Sequence, residues 1–157
     1  MSITKTQITQ AHQTWGDALV AISKSFEKGG IDDARRVADD FIDAAYGYAD
    51  GDVLFKPTMA SGNQTFRLTK EGALSYFVGH DDNFPLDGGF GLKGWRSVRF
   101  DTASTFVDGE IALWMGNVIL TDKDGGETAV DKSFGYKSDE SGALRIVLHH
   151  SSLPYLP

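Results

Sequence analysis

Two amphipathic helices are predicted in the first third of the chain. Apolar residues recur every three or four positions between residues 8 and 26, the spacing that places them on one face of a helix. Gly29 and Gly30 end this helix, and a second helical pattern starts at Asp32 or Asp33. The aromatic members are expected to be core residues rather than contacts to a cofactor. The apolar positions are Ile8, Ala11, Trp15, Ala18, Leu19, Ile22 and Phe26 in the first helix and Ala34, Val37, Phe41, Ala45 and Tyr48 in the second.

The middle of the chain combines short extended pieces, one short helix and a loop. Residues 53–59 and 64–68 have the composition of extended segments, separated by a Ser-Gly-Asn turn. The run TKEGALSYFVG predicts a short helix that Thr69 caps and Gly79 ends. The following stretch, residues 80–94, is rich in Gly and Asp and predicts a long loop that could cover a cavity.

The last third of the chain predicts an antiparallel meander of four strands. Asp-Gly, Lys-Asp-Gly-Gly and Glu-Ser-Gly sequences separate the strands and are typical of hairpin turns. Because the helices must bury their apolar faces against one side of this sheet, the architecture is α+β, a cone with a ligand pocket between helices and sheet. The predicted strands span Trp95 to Phe106, Glu110 to Thr121, Glu127 to Lys137 and Leu144 to Ser151.

The length, net charge and composition of the chain limit the classes of function that it can have. With 157 residues, the chain is expected to form a single domain, residues 1–157. A net charge of -7 argues against nucleic acid as a partner. No apolar run approaches the roughly 18 residues of a membrane span, so no membrane association is expected, and the first residues lack the composition of a secretory signal, which predicts a cytoplasmic protein. Zero cysteines exclude thiolate metal sites and cysteine nucleophiles.

The histidine pair in the last predicted strand resembles a metal motif but does not favour one. Side chains alternate along a strand, so His149 and Ser151 are predicted on one face and His150 on the other. Adjacent strand histidines cannot easily bind one ion together, so a three-histidine zinc site is not expected. Nucleotide, metalloprotease and serine-hydrolase motifs are missing from the sequence. Several polar residues in apolar settings have either a structural or a binding role: Thr58, Thr65, Arg67, Tyr76, Asn117 and Ser133.

The end of the chain resembles a known enzyme family. The run LRIVLHHSSLPY, with its HHSS core, is similar to the carboxyl-terminal signature of the iota-class carbonic anhydrases. VLFKPTMA, FRLTKEGALSYFVG and FGYKSD also resemble this family, in the expected order, so the similarity extends from about Val53 to Tyr155. The resemblance implies a domain similar to the association domain of calcium/calmodulin-dependent kinase II, a cone-shaped α+β barrel of the NTF2-like group.

What the resemblance implies is reversible hydration of carbon dioxide to bicarbonate and a proton, by a homodimer that uses no metal and no other cofactor. Its functional residues correspond here to Thr58, Tyr76, His149 and Ser151. We expect Thr58, Tyr76 and Ser151 to position water and the oxygens of bicarbonate by hydrogen bonds. His149 is expected to tune this network or to relay a proton, and the identity of the base stays open.

Two alternatives of other classes remain at this point, because a fold does not fix a function. An NTF2-like isomerase or dehydratase would need a carboxylate in the pocket, for which Asp131 is the strand candidate. A non-catalytic ligand-binding or oligomerisation domain would tolerate substitutions in the pocket without loss of function.

Overall fold

The chain opens with a helix, α1, that is interrupted once. The structure, a computed structural model, describes residues 2–157, and α1 spans Lys5–Ala45. Thr4 caps it, accepting a hydrogen bond from the backbone N–H of Gln7 while the Gln7 side chain accepts one from the Thr4 backbone. Gly30 has a φ of 81°, which breaks the helical geometry. The predicted boundary between two helical segments is confirmed at this residue.

The segment between α1 and the meander differs from its prediction in one piece. A short strand, β1, covers Leu54–Lys56 within the first predicted extended segment. The second, residues 64–68, was predicted as extended, and this prediction is wrong: a 3-10 helix spans Gly62–Gln64, and no strand follows before the next helix. The segment touches β1 at one point, where the Arg67 backbone N–H donates to the Phe55 oxygen at 2.7 Å, while the Arg67 side chain turns inward to pair with Asp87.

The predicted short helix and the predicted loop are both present. Helix α2 spans Lys70–Val78 and ends at Gly79, whose φ is 62°. Thr69 occupies the N-cap position, but its side chain makes no capping hydrogen bond. The loop that follows contains a second 3-10 helix, Phe90–Leu92.

The predicted meander is confirmed as four long antiparallel strands. They are β2 (Trp95–Asp108), β3 (Ile111–Asp122), β4 (Glu127–Ser138) and β5 (Leu144–Ser152). β1 joins β5 in parallel, so the sheet is open with the order β1-β5-β4-β3-β2. Helix α1 packs across one face of it, which gives the predicted α+β architecture.

A bulge in β5 changes the predicted alternation of side chains. Gly135 and Tyr136 are consecutive on β4, yet they pair with Leu148 and Ile146, so Val147 is an extra residue on β5. A bulge shifts the alternation by one residue. Ile146 therefore lies on the same buried side as His149, although a regular strand would place the two on opposite faces.

The core lies between α1, α2 and the inner face of the sheet. It is rich in aromatic rings, and its largest buried side chains include Trp15, Tyr46, Phe55, Phe77, Phe134 and Tyr136. Among residues 2–157, the helices are too short or too polar to cross a lipid bilayer.

Candidate active site

Two hydroxyl groups meet where β1 ends beside β5. Phe55 pairs with His149 and Lys56 with His150, and this parallel register brings Thr58, just beyond β1, next to Ser151. Their hydroxyl oxygens, Thr58 Oγ1 and Ser151 Oγ, are 2.6 Å apart and share a hydrogen bond. The Lys56 Nζ donates to the backbone oxygen of Ser151 at 2.9 Å, which ties the two strands together at this point.

The hydroxyl of Tyr76 reaches the same place from α2. It accepts a hydrogen bond from the backbone N–H of Met59 at 3.3 Å. Burial raises the pKa of Tyr76 above its ordinary value, and the contacts with Met59 and Thr58 only partly offset this effect. The phenol therefore stays protonated at neutral pH and can donate a hydrogen bond.

The ring of His149 is oriented by a chain of buried hydrogen bonds. Trp15 Nε1 donates to the Tyr46 hydroxyl at 3.1 Å, and this hydroxyl lies 2.9 Å from His149 Nδ1. Because an indole N–H can only donate, the proton of Tyr46 is free for Nδ1. We assign the His149 tautomer from this network: Nδ1 accepts and Nε2 carries the hydrogen.

His149 is held in its neutral form. Its side chain is 2% exposed, and burial, followed by the charges of Lys132 and His150, lowers its pKa well below the ordinary value. The ring stacks on Phe55 with centroids 4.3 Å apart and lies 4.7 Å from the ring of Phe134. In the assigned tautomer its Nε2–H can donate a hydrogen bond to a ligand, and the lowered pKa makes the ring a weak proton acceptor.

A buried ion pair holds the backbone behind Tyr76. Arg67 forms two hydrogen bonds of 2.7 Å with the carboxylate of Asp87, and Ser75 on α2 donates to the same carboxylate at 2.6 Å. Arg67 also donates to the backbone oxygen of Gly72 at 2.8 Å. These contacts connect α2 with the loop after it. Of the two roles open to Arg67 from the sequence, these contacts support the structural one.

The structure thus joins Thr58 with Ser151 and with Tyr76, and it places His149 on the same buried side of β5 as Ser151. Ser151, His149 and Tyr76 are 1%, 2% and 5% exposed, and Thr58 is half-buried. The prediction that the two histidines point apart is confirmed, because His150 lies on the outer face. Such deep burial suits a substrate of only a few atoms.

The other polar candidates lie elsewhere. Thr65 donates to the backbone of Gly62 in a turn. Asn117 is exposed and donates to the Asp131 carboxylate at 2.7 Å. Asp131 is itself exposed, so the carboxylate that an isomerase would need is on the wrong face of the sheet.

Sequence reasoning missed one charged residue, Lys132 in β4. It is 4% exposed, and its Nζ lies 4.2 Å from the centroid of the Trp15 ring. Burial lowers its pKa to about 7. The signal was present in the alternation of β4, because Lys132 shares a face with the apolar residues Val130 and Phe134.

Residues 2–157 contain no cluster of three or more histidine or carboxylate side chains that could hold a metal ion. The polar groups at the site are three hydroxyls and one neutral imidazole, and the lysine amine lies over the ring of Trp15. Chemically, the arrangement can orient a small molecule with oxygen atoms and a water molecule by hydrogen bonds.

Comparison with solved structures identifies the fold. An association-domain protein of the calcium/calmodulin dependent protein kinase II type from Xanthomonas campestris has a TM-score of 0.63 at 22% identity, covering 94% of this chain and 85% of that one. The likeness shows the α+β fold that the sequence resemblance implied, in which helices pack on an antiparallel sheet.

The family follows from three closer matches. A family model described as metal-independent carbonic anhydrase matches residues 6–153. The metal-independent carbonic anhydrase of Nostoc sp. is 51% identical over 154 residues, which cover 98% of this chain and 75% of that protein. A crystal structure of the iota-carbonic anhydrase from a cyanobacterium, complexed with bicarbonate, has a TM-score of 0.98 at 50% identity and covers 99% of this chain and 95% of that one. The chain belongs to the metal-independent carbonic anhydrase family.

Proposed function

We propose that this protein catalyses the reversible hydration of carbon dioxide at the cluster of Thr58, Tyr76, His149 and Ser151. The observation that carries the proposal is the 2.6 Å hydroxyl pair of Thr58 and Ser151, enclosed with Tyr76 in a buried aromatic setting. The family membership supports the reaction, and the bicarbonate complex of the cyanobacterial relative supports a site for the product.

The hydroxyls have complementary roles in this proposal. Thr58 and Ser151 each carry one donor and two acceptor positions, so their mutual hydrogen bond leaves capacity for a water and for a bicarbonate oxygen. Tyr76 stays protonated and donates to an oxygen that gains negative charge as the carbon–oxygen bond forms. A preorganised set of donors stabilises this charge without first reorienting solvent.

His149 acts as a fixed donor in the same network. Its Nδ1 is occupied by the Tyr46 hydroxyl, so Nε2–H is the group free to contact an oxygen of the substrate. The rings of Phe55 and Phe134 beside it give the carbon dioxide molecule an apolar surface. Of the two roles expected for His149, this assignment favours orienting the substrate within the hydrogen-bond network over relaying a proton.

Stopped-flow measurement of carbon dioxide hydration tests the proposal. The wild-type chain should accelerate hydration in the presence of EDTA, because no step of the proposal uses a metal ion. Thr58→Ala and Tyr76→Phe should each lower kcat by about 10²–10³-fold, the usual effect of removing one donor to a developing oxyanion. A folded wild-type chain no faster than buffer would contradict the proposal and favour a binding or oligomerisation domain.

We also propose that the protein is a homodimer, formed through the outer face of β2 and β3. Phe106 lies directly opposite Leu113 across the two strands, and both are exposed. Met115 and Ile111 continue this apolar patch along β3. Apolar patches of this kind on a sheet face mark protein interfaces. Light scattering should give a dimer for the wild-type chain and a monomer for Leu113→Glu.

A cytoplasmic location is a further proposal. Fractionation of cells that produce the protein tests it.

A further inference from the structure

Hydration of carbon dioxide releases one proton, and the four residues of the proposed site offer no acceptor for it. The hydroxyls of Thr58 and Ser151 are already protonated, and burial keeps the Tyr76 phenol protonated. His149 accepts a hydrogen bond at Nδ1, and its low pKa makes it a poor base. A group beyond these four has to take the proton from the attacking water.

Lys132 lies directly beside the site. It pairs with Ser151 across β4 and β5, and both side chains are buried on the inner face of the sheet. Residues opposite each other in an antiparallel pair have Cβ atoms about 4.5–5.5 Å apart. The Nζ of Lys132 then extends over the ring of Trp15 at 4.2 Å, with the ring of Phe134 at 5.4 Å.

No acid within residues 2–157 neutralises this lysine, because the ion pairs formed in that range do not include it. The titratable groups that face it are His12 from α1 and His149 from β5, both of which it affects electrostatically. On β3 its partner is Gly116, which has no side chain. The amine is therefore surrounded by aromatic rings and neutral imidazoles.

This setting disfavours the ammonium form. Removing a cation from water without a counter-charge is costly, so burial lowers the pKa of Lys132 to about 7. At neutral pH a large fraction of the molecules then carries a neutral amine with a free lone pair. His12 is likewise held neutral, with its pKa lowered to about 4 by burial and by the charge of Lys132.

We propose that Lys132 is the general base of the hydration reaction, an inference that rests on the function proposed above. As the water oxygen forms its bond to the carbon of carbon dioxide, one water O–H bond breaks and its proton moves to Nζ. One carbon–oxygen π pair moves to oxygen, which gives bicarbonate. The new ammonium lies beside this anion, and its proton passes to solvent or buffer before the next cycle.

Two substitutions at Lys132 distinguish a general base from a residue that contributes only its positive charge. Lys132→Met removes the amine at similar volume, and Lys132→Arg keeps a cation that cannot release its proton at neutral pH. Both should lower kcat by about 10²–10⁴-fold, the usual contribution of a general base. Lys137→Met, on the exposed face of the same strand, is the matched control and should keep the wild-type kcat.

A pH profile and a chemical rescue provide readouts that a structural role would not change. Wild-type kcat for hydration should rise with pH through about 7, because the base must be neutral to accept a proton. Lys132→Met should lose this step. Lys132→Ala leaves space beside Trp15, and methylamine added to this variant should restore activity in proportion to its concentration.

The outcomes distinguish this inference from the proposed function. Circular dichroism first establishes that each variant is folded. Wild-type kcat in Lys132→Arg would show that a fixed charge suffices and would overturn the base assignment, as would an unchanged pH profile in Lys132→Met. If Thr58→Ala abolishes activity while Lys132→Met retains it, only the base assignment fails. If the wild-type chain itself is inactive, the proposed function fails.

Discussion

Replacing the buried lysine of β4 should make the protein more stable. Lys132→Met exchanges a buried amine for an apolar side chain of similar length, so the packing is largely kept. The fall in the pKa of Lys132 from 10.5 to about 7 corresponds to about 5 kcal/mol of destabilisation of the charged form, at about 1.4 kcal/mol for each tenfold change in proton affinity.

At pH 7 about half of the folded molecules carry the neutral amine, which reduces this penalty to about 4 kcal/mol. The substitution also removes the cation–π contact with Trp15, which contributes about 1–2 kcal/mol. The net expectation is a gain of about 2–3 kcal/mol in the free energy of unfolding. Stability would then increase while activity is lost. This pattern is expected for a functional group that is buried although burial destabilises its charged form.

The dependence of stability on pH shows whether the charge of Lys132 causes this difference. Between pH 7 and 10.5 the unfolded chain keeps the lysine proton and the folded chain does not, so wild-type stability should rise with pH in this window. Below pH 7 both states are protonated at this residue. The advantage of Lys132→Met should therefore be largest below pH 7 and decline towards pH 10.5.

Urea unfolding of both proteins at pH 6, 7.5 and 9, followed by circular dichroism, measures the difference. Titrating groups away from Lys132 contribute equally to the two proteins and cancel. The pKa values of His12 and His149, which Lys132 also affects, are lowered mainly by burial, which the substitution leaves in place. A methionine variant that is less stable than the wild type at pH 6, or a difference that does not change with pH, would show that the buried charge of Lys132 does not destabilise the fold.

Three further substitutions test other parts of the site. Ser151→Ala should lower kcat for hydration by about 10²–10³-fold with little change in stability, whereas Ser152→Ala, the next residue on the strand, should not affect kcat. Tyr46→Phe should release the orientation of His149, and nitrogen NMR should then show a mixture of ring tautomers in place of Nε2–H; a single unchanged tautomer would contradict the assigned network. Asp87→Ala should destabilise the fold by about 3–5 kcal/mol because it leaves a buried arginine without its partner, and a loss below 1 kcal/mol in urea unfolding would show that the pair is not needed.

Sequence patterns predicted the secondary structure correctly where neighbouring residues alone determine it. The break at Gly30 and the meander were predictable because glycine and turn sequences determine the chain direction within a few residues. Residues 64–68 were mispredicted as extended, because a 3-10 helix ends at Gln64 and the contacts of Arg67 are with Phe55 and Asp87, which no local pattern reveals. The bulge at Val147 depends in the same way on pairing with another strand.

The candidate site was predictable in part, and for two different reasons. The alternation in β5 placed His149 and Ser151 together, and the family resemblance added Thr58 and Tyr76, which come from other elements. Tyr46 was not singled out from the sequence, because its link to His149 spans 103 positions of the chain. Lys132 could have been found from the apolar alternation of β4, since a lysine on the buried face of a strand requires an explanation.

The decisive experiment is stopped-flow hydration of carbon dioxide by the metal-depleted wild-type chain, in parallel with Ser151→Ala. A metal-free hydroxyl site should give activity that EDTA does not reduce and that added divalent ions do not raise, and the variant should lose at least about 10²-fold. Activity that EDTA abolishes and a divalent ion restores would show that a metal ion is required, and a serine variant as fast as the wild type would show that the reaction occurs elsewhere.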